Sequence, residues 1–167
     1  MAHKRTRVQF RRRKNGKTDY RARLKLLKSG KPRAVVRKTL RNTIVQIVKY
    51  NEKGDEILAS AISTELKKYG WNSSFSNIPA AYLTAFLAGK KAQKIGIKNA
   101  VLDIGINVPS KGCKMFAALK GLVDSGMEIP HGDEVFPSKE RIRGEHINSK
   151  LPSMFEDVKS KILMVEK

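Results

Sequence analysis

The chain has little of what several protein classes need. It contains a single cysteine, Cys113, so it cannot form an internal disulfide, and this fits a reducing compartment. No run approaches the ~20 consecutive apolar residues of a membrane-spanning helix. The first residues, MAHKRTR, lack the apolar stretch of a secretory signal. We therefore expect a soluble, cytoplasmic protein without a membrane partner.

Acidic residues are scarce where a nuclease would need them. A metal-dependent nuclease requires several carboxylates that converge on two cations. No Asp or Glu lies between Asp19 and Glu52, so the first two predicted strands offer none. Asp103 is the lone acid of the fourth predicted strand, and we interpret it as a hydrogen-bonded acid at a strand end. The sequence therefore predicts no catalytic residue.

Metal and cofactor motifs are also missing. His3, His131 and His146 share no ligand spacing, and Cys113 has no second cysteine nearby. Neither GxxxxGK[ST] nor GxGxxG occurs. We expect no metal, no cofactor and no small-molecule substrate. Cys113 stands near a predicted helix start, where a thiol can be reactive, but an inert thiol is the simpler interpretation.

What the chain has in excess is positive charge at one end. Seventeen of the first 41 residues are Lys or Arg and only Asp19 is acidic, which places +16 of the +20 formal charge there. The other 126 residues carry a net charge of only +4. A cationic arm on a nearly neutral body predicts a polyanionic partner, and RNA, DNA and acidic membrane are the candidates. Membrane is the weakest because the arm has no apolar face at helical spacing.

The residue types of the arm favour nucleic acid. Guanidinium groups present planar donor forks to phosphate and also stack on bases. Phe10 and Tyr20 are interleaved with them and can stack on unpaired bases. Strand alternation predicts that Arg33 and Arg37 share one sheet face, near a turn that displays Arg41. The predicted RNA-binding residues are Arg5, Arg7, Phe10, Arg11, Arg12, Arg13, Lys14, Lys17, Tyr20, Arg21, Arg23, Arg33, Arg37, Lys38 and Arg41.

Apolar periodicity and turn residues predict an α/β fold in the order β-β-β-α-β-α. Three strands form an antiparallel meander, and a long crossover helix leads to a fourth strand that should be covered on both faces. We expect the arm to be disordered in the free protein up to residue 17, followed by a short helix capped by Thr18. Pro152 should separate two C-terminal helices. The predicted strands are 34–39, 43–50, 56–63 and 100–104, and the predicted helices are 19–29, 80–95, 113–124, 139–148 and 153–164.

The same patterns divide the chain into three parts. Residues 1–32 are the basic arm with its short helix, 33–126 the α/β core domain, and 127–167 a C-terminal loop and helical extension. Between the fourth strand and the next helix, the loop from Gly105 to Gly112 has Lys111 and Lys114 nearby. Its backbone amides at a helix start could hold a phosphate, but a plain connecting loop is the simpler interpretation.

Several segments resemble one family. VQFRRRKNGKTDYRARLKLL (8–27) is similar to the start of the large-subunit ribosomal protein that binds 5S rRNA, the eighteenth in the bacterial numbering and the fifth in the eukaryotic one. The resemblance continues through LKKYG (66–70), AAYLTAFLAGKKA (80–92) and FAALKGLVDSGMEIPH (116–131), and ends at EHI (145–147). The C-terminal segment favours the archaeal and eukaryotic branch. At the first hairpin turn this chain has Leu40, whereas many members of the family it resembles have Asn. The resemblance therefore does not imply an RNA contact at Leu40.

The resemblance implies a fold, a partner and a place. The fold is a small ribonuclease-H-like α/β domain without the catalysis. The partners are 5S rRNA, 23S rRNA and neighbouring ribosomal proteins in the central protuberance of the large subunit, and the matched arm and first hairpin would contact RNA. Two alternatives remain open at this point: a divergent metal-dependent RNA-processing nuclease and a DNA-compacting protein.

Overall fold

A computed structural model describes residues 8–165 of the chain. The elements follow the predicted order, with additional short turns. Two 3-10 helices, Ser63–Tyr69 and Asp133–Val135, lie between the regular elements. The helices are α1 (Arg11–Lys14), α2 (Tyr20–Leu27), α3 (Ile78–Lys94), α4 (Lys114–Asp124), α5 (Lys139–Arg143) and α6 (Leu151–Val165). The strands are β1 (Arg33–Lys38), β2 (Thr43–Lys49), β3 (Glu56–Ile62) and β4 (Val101–Asp103).

The four strands form one mixed sheet in the order β3-β2-β1-β4. β1, β2 and β3 are an antiparallel meander, because short turns join consecutive strands. β4 runs parallel to β1, with Ala34 opposite Leu102, and a parallel neighbour requires a crossover, which α3 supplies. The predicted α/β class and mixed sheet are confirmed.

One face of the sheet carries the core. Ala34 and Val36 of β1 and Val45 and Ile47 of β2 are fully buried there, in one cluster with apolar residues of α3 and α4. The two helices pack so closely that a Cβ at Gly121 of α4 would collide with the backbone oxygen of Tyr82 in α3. Glycine at this position therefore sets the spacing between the two helices that cover the sheet.

The start of α2 differs from its prediction. The N-cap is Asp19 rather than Thr18: the Asp19 carboxylate accepts hydrogen bonds from the N–H groups of Arg21 (2.8 Å) and Ala22 (3.2 Å). Because these bonds favour the charged form, they hold the pKa of Asp19 below its ordinary value. The arm also contains one helical turn, α1, where no regular structure was expected.

The fourth strand and the C-terminal helices need three corrections. β4 lies at the sheet edge, and Val101 and Leu102 are only half-buried, so it is not covered on both faces. α5 ends at Arg143, because Gly144 takes a left-handed conformation. Pro152 lies in the first turn of α6, where its missing N–H costs no hydrogen bond. Four buried residues of α6 belong to the main core: Leu151, Phe155, Val158 and Ile162.

Candidate nucleic-acid interface

The second face of the sheet meets the basic arm. Odd-numbered residues of β1, Arg33, Val35 and Arg37, point away from the α3–α4 side because successive side chains of a strand alternate. Helix α2 lies across this face and shares a cleft with β1, β2 and β4. The arm is therefore attached to a defined surface, which we call the open face, rather than only to the end of the first strand.

Five charged residues connect α2 with the sheet, and we call them the Arg–Asp chain. Arg23 Nη2 of α2 donates to both oxygens of Asp55, at 2.9 and 3.0 Å. Asp55 also accepts from Arg33 Nη2 at 2.6 Å. On its other side, Arg33 Nη1 donates to Asp103 at 2.7 Å, and Arg37 Nη2 reaches the second oxygen of Asp103 at 3.1 Å. Charges of alternating sign thus link α2, the β2–β3 turn, β1 and β4.

Asp103 is the most buried acid of this group, with 5% of its surface exposed. Burial by itself would raise the pKa of its carboxyl group. The charge and hydrogen bond of Arg37, the N–H of Gly105 and the hydrogen bond from Arg33 together outweigh burial and hold the pKa below its ordinary value. Asp103 is therefore an ionised, hydrogen-bonded strand-end acid, which confirms its interpretation from the sequence.

Arg33 requires a correction. The sequence placed it among the RNA contacts, but only 4% of its surface is exposed, and both terminal nitrogens are held by carboxylates. Alternation predicted its face correctly but could not reveal that α2 covers that face. Arg33 therefore acts inside the protein, where it joins Asp55 to Asp103.

The arm itself presents its cations to solvent. The four residues of α1, Arg11–Lys14, are all exposed, as are Lys17 and Arg21. Arg12 Nε donates to the Thr18 hydroxyl at 2.9 Å, which folds the arm back toward α2. Phe10 and Tyr20 lie with ring centroids 5.3 Å apart and planes at 51°. Arg5 and Arg7 lie outside the described residues.

Lys38 and Arg41 do not belong to the Arg–Asp chain. Both are exposed, at the end of β1 and in the turn that follows it. Lys38 lines a second concavity of about 580 Å³ together with Lys114 of α4 and Arg141 of α5. The predicted basic residues on and after β1 thus divide between the open face, the second concavity and the turn at Arg41 instead of forming one patch.

In the loop from Gly105 to Gly112 and the helix start that follows it, the lysines bind groups of the protein itself. Lys111 Nζ lies 3.0 Å from Glu134, and Lys114 Nζ donates to Ser76 at 3.1 Å. Cys113 is the N-cap of α4, half-buried and free, and its side chain makes no capping hydrogen bond. This geometry favours the plain connecting loop.

A cleft of about 550 Å³ separates α2 from the open face. Two of its charged residues were not singled out from the sequence, Lys25 and Asp55. Lys25 could have been found, because it belongs to the same short basic helix as Arg21 and Arg23. Asp55 carries no local signal: its role depends on Arg33, 22 positions away, and on Arg23, 32 positions away.

Residues 8–165 contain no group of three or more His, Cys, Asp or Glu side chains that could hold a metal ion. None of their helices is long and apolar enough to cross a membrane.

Comparison of the chain with known proteins identifies a family. The family model described as ribosomal large subunit proteins 60S L5, and 50S L18 matches residues 4–99 and 93–132. The chain belongs to this family. The matched residues include the described arm, α2, the whole sheet, α3 and α4, so the Arg–Asp chain lies entirely within them.

Relatives named large ribosomal subunit protein uL18 are similar over most of the chain. The protein of Korarchaeum cryptofilum is 54% identical over 145 residues, which cover 87% of this chain and 74% of that protein. The protein of Methanothermobacter thermautotrophicus is 52% identical over 158 residues, 94% of this chain and 82% of that protein. The protein of Methanococcus maripaludis is 52% identical over 151 residues, 90% and 78% respectively. All three sources are archaea, which agrees with the predicted archaeal and eukaryotic type.

Membership of the uL18 family excludes one of the two alternatives left open by the sequence. The family consists of structural ribosomal proteins rather than enzymes, so the nuclease alternative is dropped. A large-subunit ribosomal protein is an RNA-binding component of a ribonucleoprotein, and its place is in the cytoplasm on the ribosome.

Proposed function

We propose that this protein binds 5S rRNA and anchors it to 23S rRNA in the central protuberance of the large subunit. One observation carries the proposal: the Arg–Asp chain fixes the cationic helix α2 on the open face of the sheet. A cationic surface with a fixed shape can recognise one folded RNA, whereas a loose basic tail binds any polyanion.

The proposed 5S contacts follow from exposure and charge. Guanidinium and ammonium groups of the arm and α2 would neutralise phosphates, and Phe10, 71% exposed, would stack on an unpaired base. Arg33 is left out because it is buried, and Arg37 remains because its side chain is 41% exposed. The contact set is Arg5, Arg7, Phe10, Arg11, Arg12, Arg13, Lys14, Lys17, Tyr20, Arg21, Arg23, Lys25 and Arg37.

The anchoring contacts would lie outside the cleft beneath α2. Lys38 and Arg141 are exposed and line the second concavity, and Arg41 is exposed in the turn after β1. A second cationic surface is what a protein needs if it bridges two RNA molecules. The C-terminal segment from residue 127, which we propose as the third part of the chain after the arm and the core, would add contacts to RNA or to neighbouring ribosomal proteins.

The test is competitive binding of the full chain to 5S rRNA at ~150 mM salt. The competitors are an unrelated rRNA fragment of equal length and duplex DNA of equal charge, and a 23S rRNA fragment from the central protuberance is added as a second ligand. Preference for 5S rRNA over the unrelated fragment and DNA by at least tenfold is expected, together with simultaneous binding of the 23S fragment. Equal affinity for all four would leave a non-specific polyanion binder, and preference for DNA would support the DNA-compacting alternative.

A further inference from the structure

The cleft between α2 and the open face has the size and lining of a ligand site. Its volume of about 550 Å³ falls in the ~300–1,000 Å³ range of pockets that take small ligands. Ala22 and Leu26 of α2 form part of one wall, and Leu102 and Ile104 lie on the sheet side. Ile57 of β3 also lines the cleft and is 54% exposed.

The charge of the cleft selects an anion. Six cationic side chains and three carboxylates line it, which leaves three positive charges in excess. The carboxylates are already engaged: Asp19 caps α2, while Asp55 and Asp103 are held in the Arg–Asp chain. The exposed cations Lys17 and Lys25 therefore remain for a ligand. A phosphate group fits this balance, since cations and backbone donors are what bind phosphates in proteins.

We infer that this cleft receives a single unstacked nucleotide of the bound RNA, with its base between α2 and the aliphatic sheet wall and its phosphate at Lys17 and Lys25. Apolar walls with cations at the rim match a nucleotide, which joins a flat, weakly polar base to a charged phosphate. Proteins read RNA sequence mainly at unpaired bases that can be splayed out of the stack. The inference rests on the proposed function, because it names which part of the RNA the open face recognises.

The test fills the cleft without changing charge. Ala22→Trp places a large ring on the wall of α2 that lines the cleft, and Ala22 is exposed, so the core is undisturbed. Leu24→Trp is the matched control, because Leu24 is 58% exposed on the same helix and does not line the cleft. Ile57→Trp fills the cleft from the sheet side and decides the question if Ala22→Trp disturbs the arm.

The readouts are the affinity for 5S rRNA and the 2′-hydroxyl acylation profile of that RNA in the complex. We expect the normal protein to alter the reactivity of one unpaired nucleotide, and this nucleotide should regain its free-RNA reactivity with Ala22→Trp. Binding should also weaken about tenfold, since burial of one base against apolar walls contributes on that order. Leu24→Trp should stay within about twofold. Binding to a fully duplex RNA of equal length should not change in either variant.

The outcomes separate this inference from the proposed function. If the unmodified protein binds 5S rRNA specifically and both cleft-filling variants keep its affinity and acylation profile, the nucleotide pocket is overturned and the proposed function stands. A second comparison is between the affinities of a free nucleoside monophosphate and of inorganic phosphate for the cleft. If the two affinities are equal, the base makes no contribution and the cleft is a phosphate site only, which also overturns the inference. If the unmodified protein has no preference for 5S rRNA, both fail.

Discussion

Arg33 and Asp103 form a buried ion pair, Nη1 to Oδ2 at 2.7 Å, that joins the central strand β1 to the edge strand β4. Both side chains are more than nine-tenths buried, and each has a second partner of opposite charge, Asp55 for Arg33 and Arg37 for Asp103. The pair therefore does two things. It holds a three-residue edge strand in register, and it is the middle link between the sheet and the cationic helix α2.

Replacing Asp103 by Ala should destabilise the fold strongly. The change leaves the guanidinium of Arg33 buried with only one carboxylate, and loss of one partner of a buried pair costs about 3 kcal/mol. Glu134→Ala is the control, because the ion pair of Glu134 with Lys111 is exposed: the Glu134 side chain is 86% exposed and the Lys111 side chain 72%. This pair should contribute under ~1 kcal/mol to the free energy of unfolding. Denaturant unfolding measures both. Equal costs would contradict a structural role for the buried pair.

The Asp103 carboxyl also predicts a pH dependence. Its pKa is lowered in the folded protein, so its contribution to stability is fully present above the unfolded value of ~3.9 and is lost as the pH falls through the folded value. The difference in free energy of unfolding between the normal protein and Asp103→Asn should therefore be constant near neutral pH and shrink below pH ~4. Unfolding curves at several pH values measure it. A difference that grows on acidification would contradict the assignment.

Asp55 tests whether the Arg–Asp chain positions α2. Asp55→Asn removes a negative charge, so electrostatics alone predicts tighter binding to every RNA. Loss of the pairs with Arg23 and Arg33 should instead loosen α2 and weaken 5S rRNA binding about fivefold, the equivalent of ~1 kcal/mol. Glu52→Gln is the matched control: it removes the same charge from the same exposed turn without touching the chain. If both variants bind 5S rRNA more tightly, α2 needs no such positioning.

The turn α1 should supply sequence-independent affinity. Arg11, Arg12 and Arg13 are exposed and bury nothing, so their replacement by Ala should leave the free energy of unfolding unchanged. With ~6–8 phosphate contacts, log affinity should fall with log salt at a slope of roughly −4 to −7, and the triple variant should reduce the steepness by about 2 to 3. Binding of 5S rRNA and of an unrelated RNA should weaken alike. An unchanged slope would mean that these arginines contact no phosphate.

The sheet and its covering helices could be predicted from the sequence because their signals are local. β-branched runs separated by Gly54 and by the turn at Arg41 specify the meander, and the side chain of Asn77, a residue type that favours helix starts, caps α3. Asp19 was missed as the cap because Thr18 and Asp19 are both good N-caps and adjacent. Only the backbone geometry distinguishes them.

The internal role of Arg33 could not be predicted, for a non-local reason. Its burial depends on α2 lying over the open face, and its partners Asp55 and Asp103 are 22 and 70 positions away. Alternation assigns a side chain to a face but does not say what covers that face. The cleft beneath α2 depends on the same docking, so it too is visible only in three dimensions.

Amide hydrogen exchange of the full chain with and without 5S rRNA is the most direct test of the central claim that α2, fixed on the open face, presents the arm to this RNA. Without RNA, residues 8–17 should exchange rapidly, while β1, β2 and α3 stay protected. With saturating 5S rRNA, residues 8–17 should become strongly protected and α6 should not change. Protection of the arm before RNA is added, or an arm that stays unprotected in the saturated complex, would contradict the account.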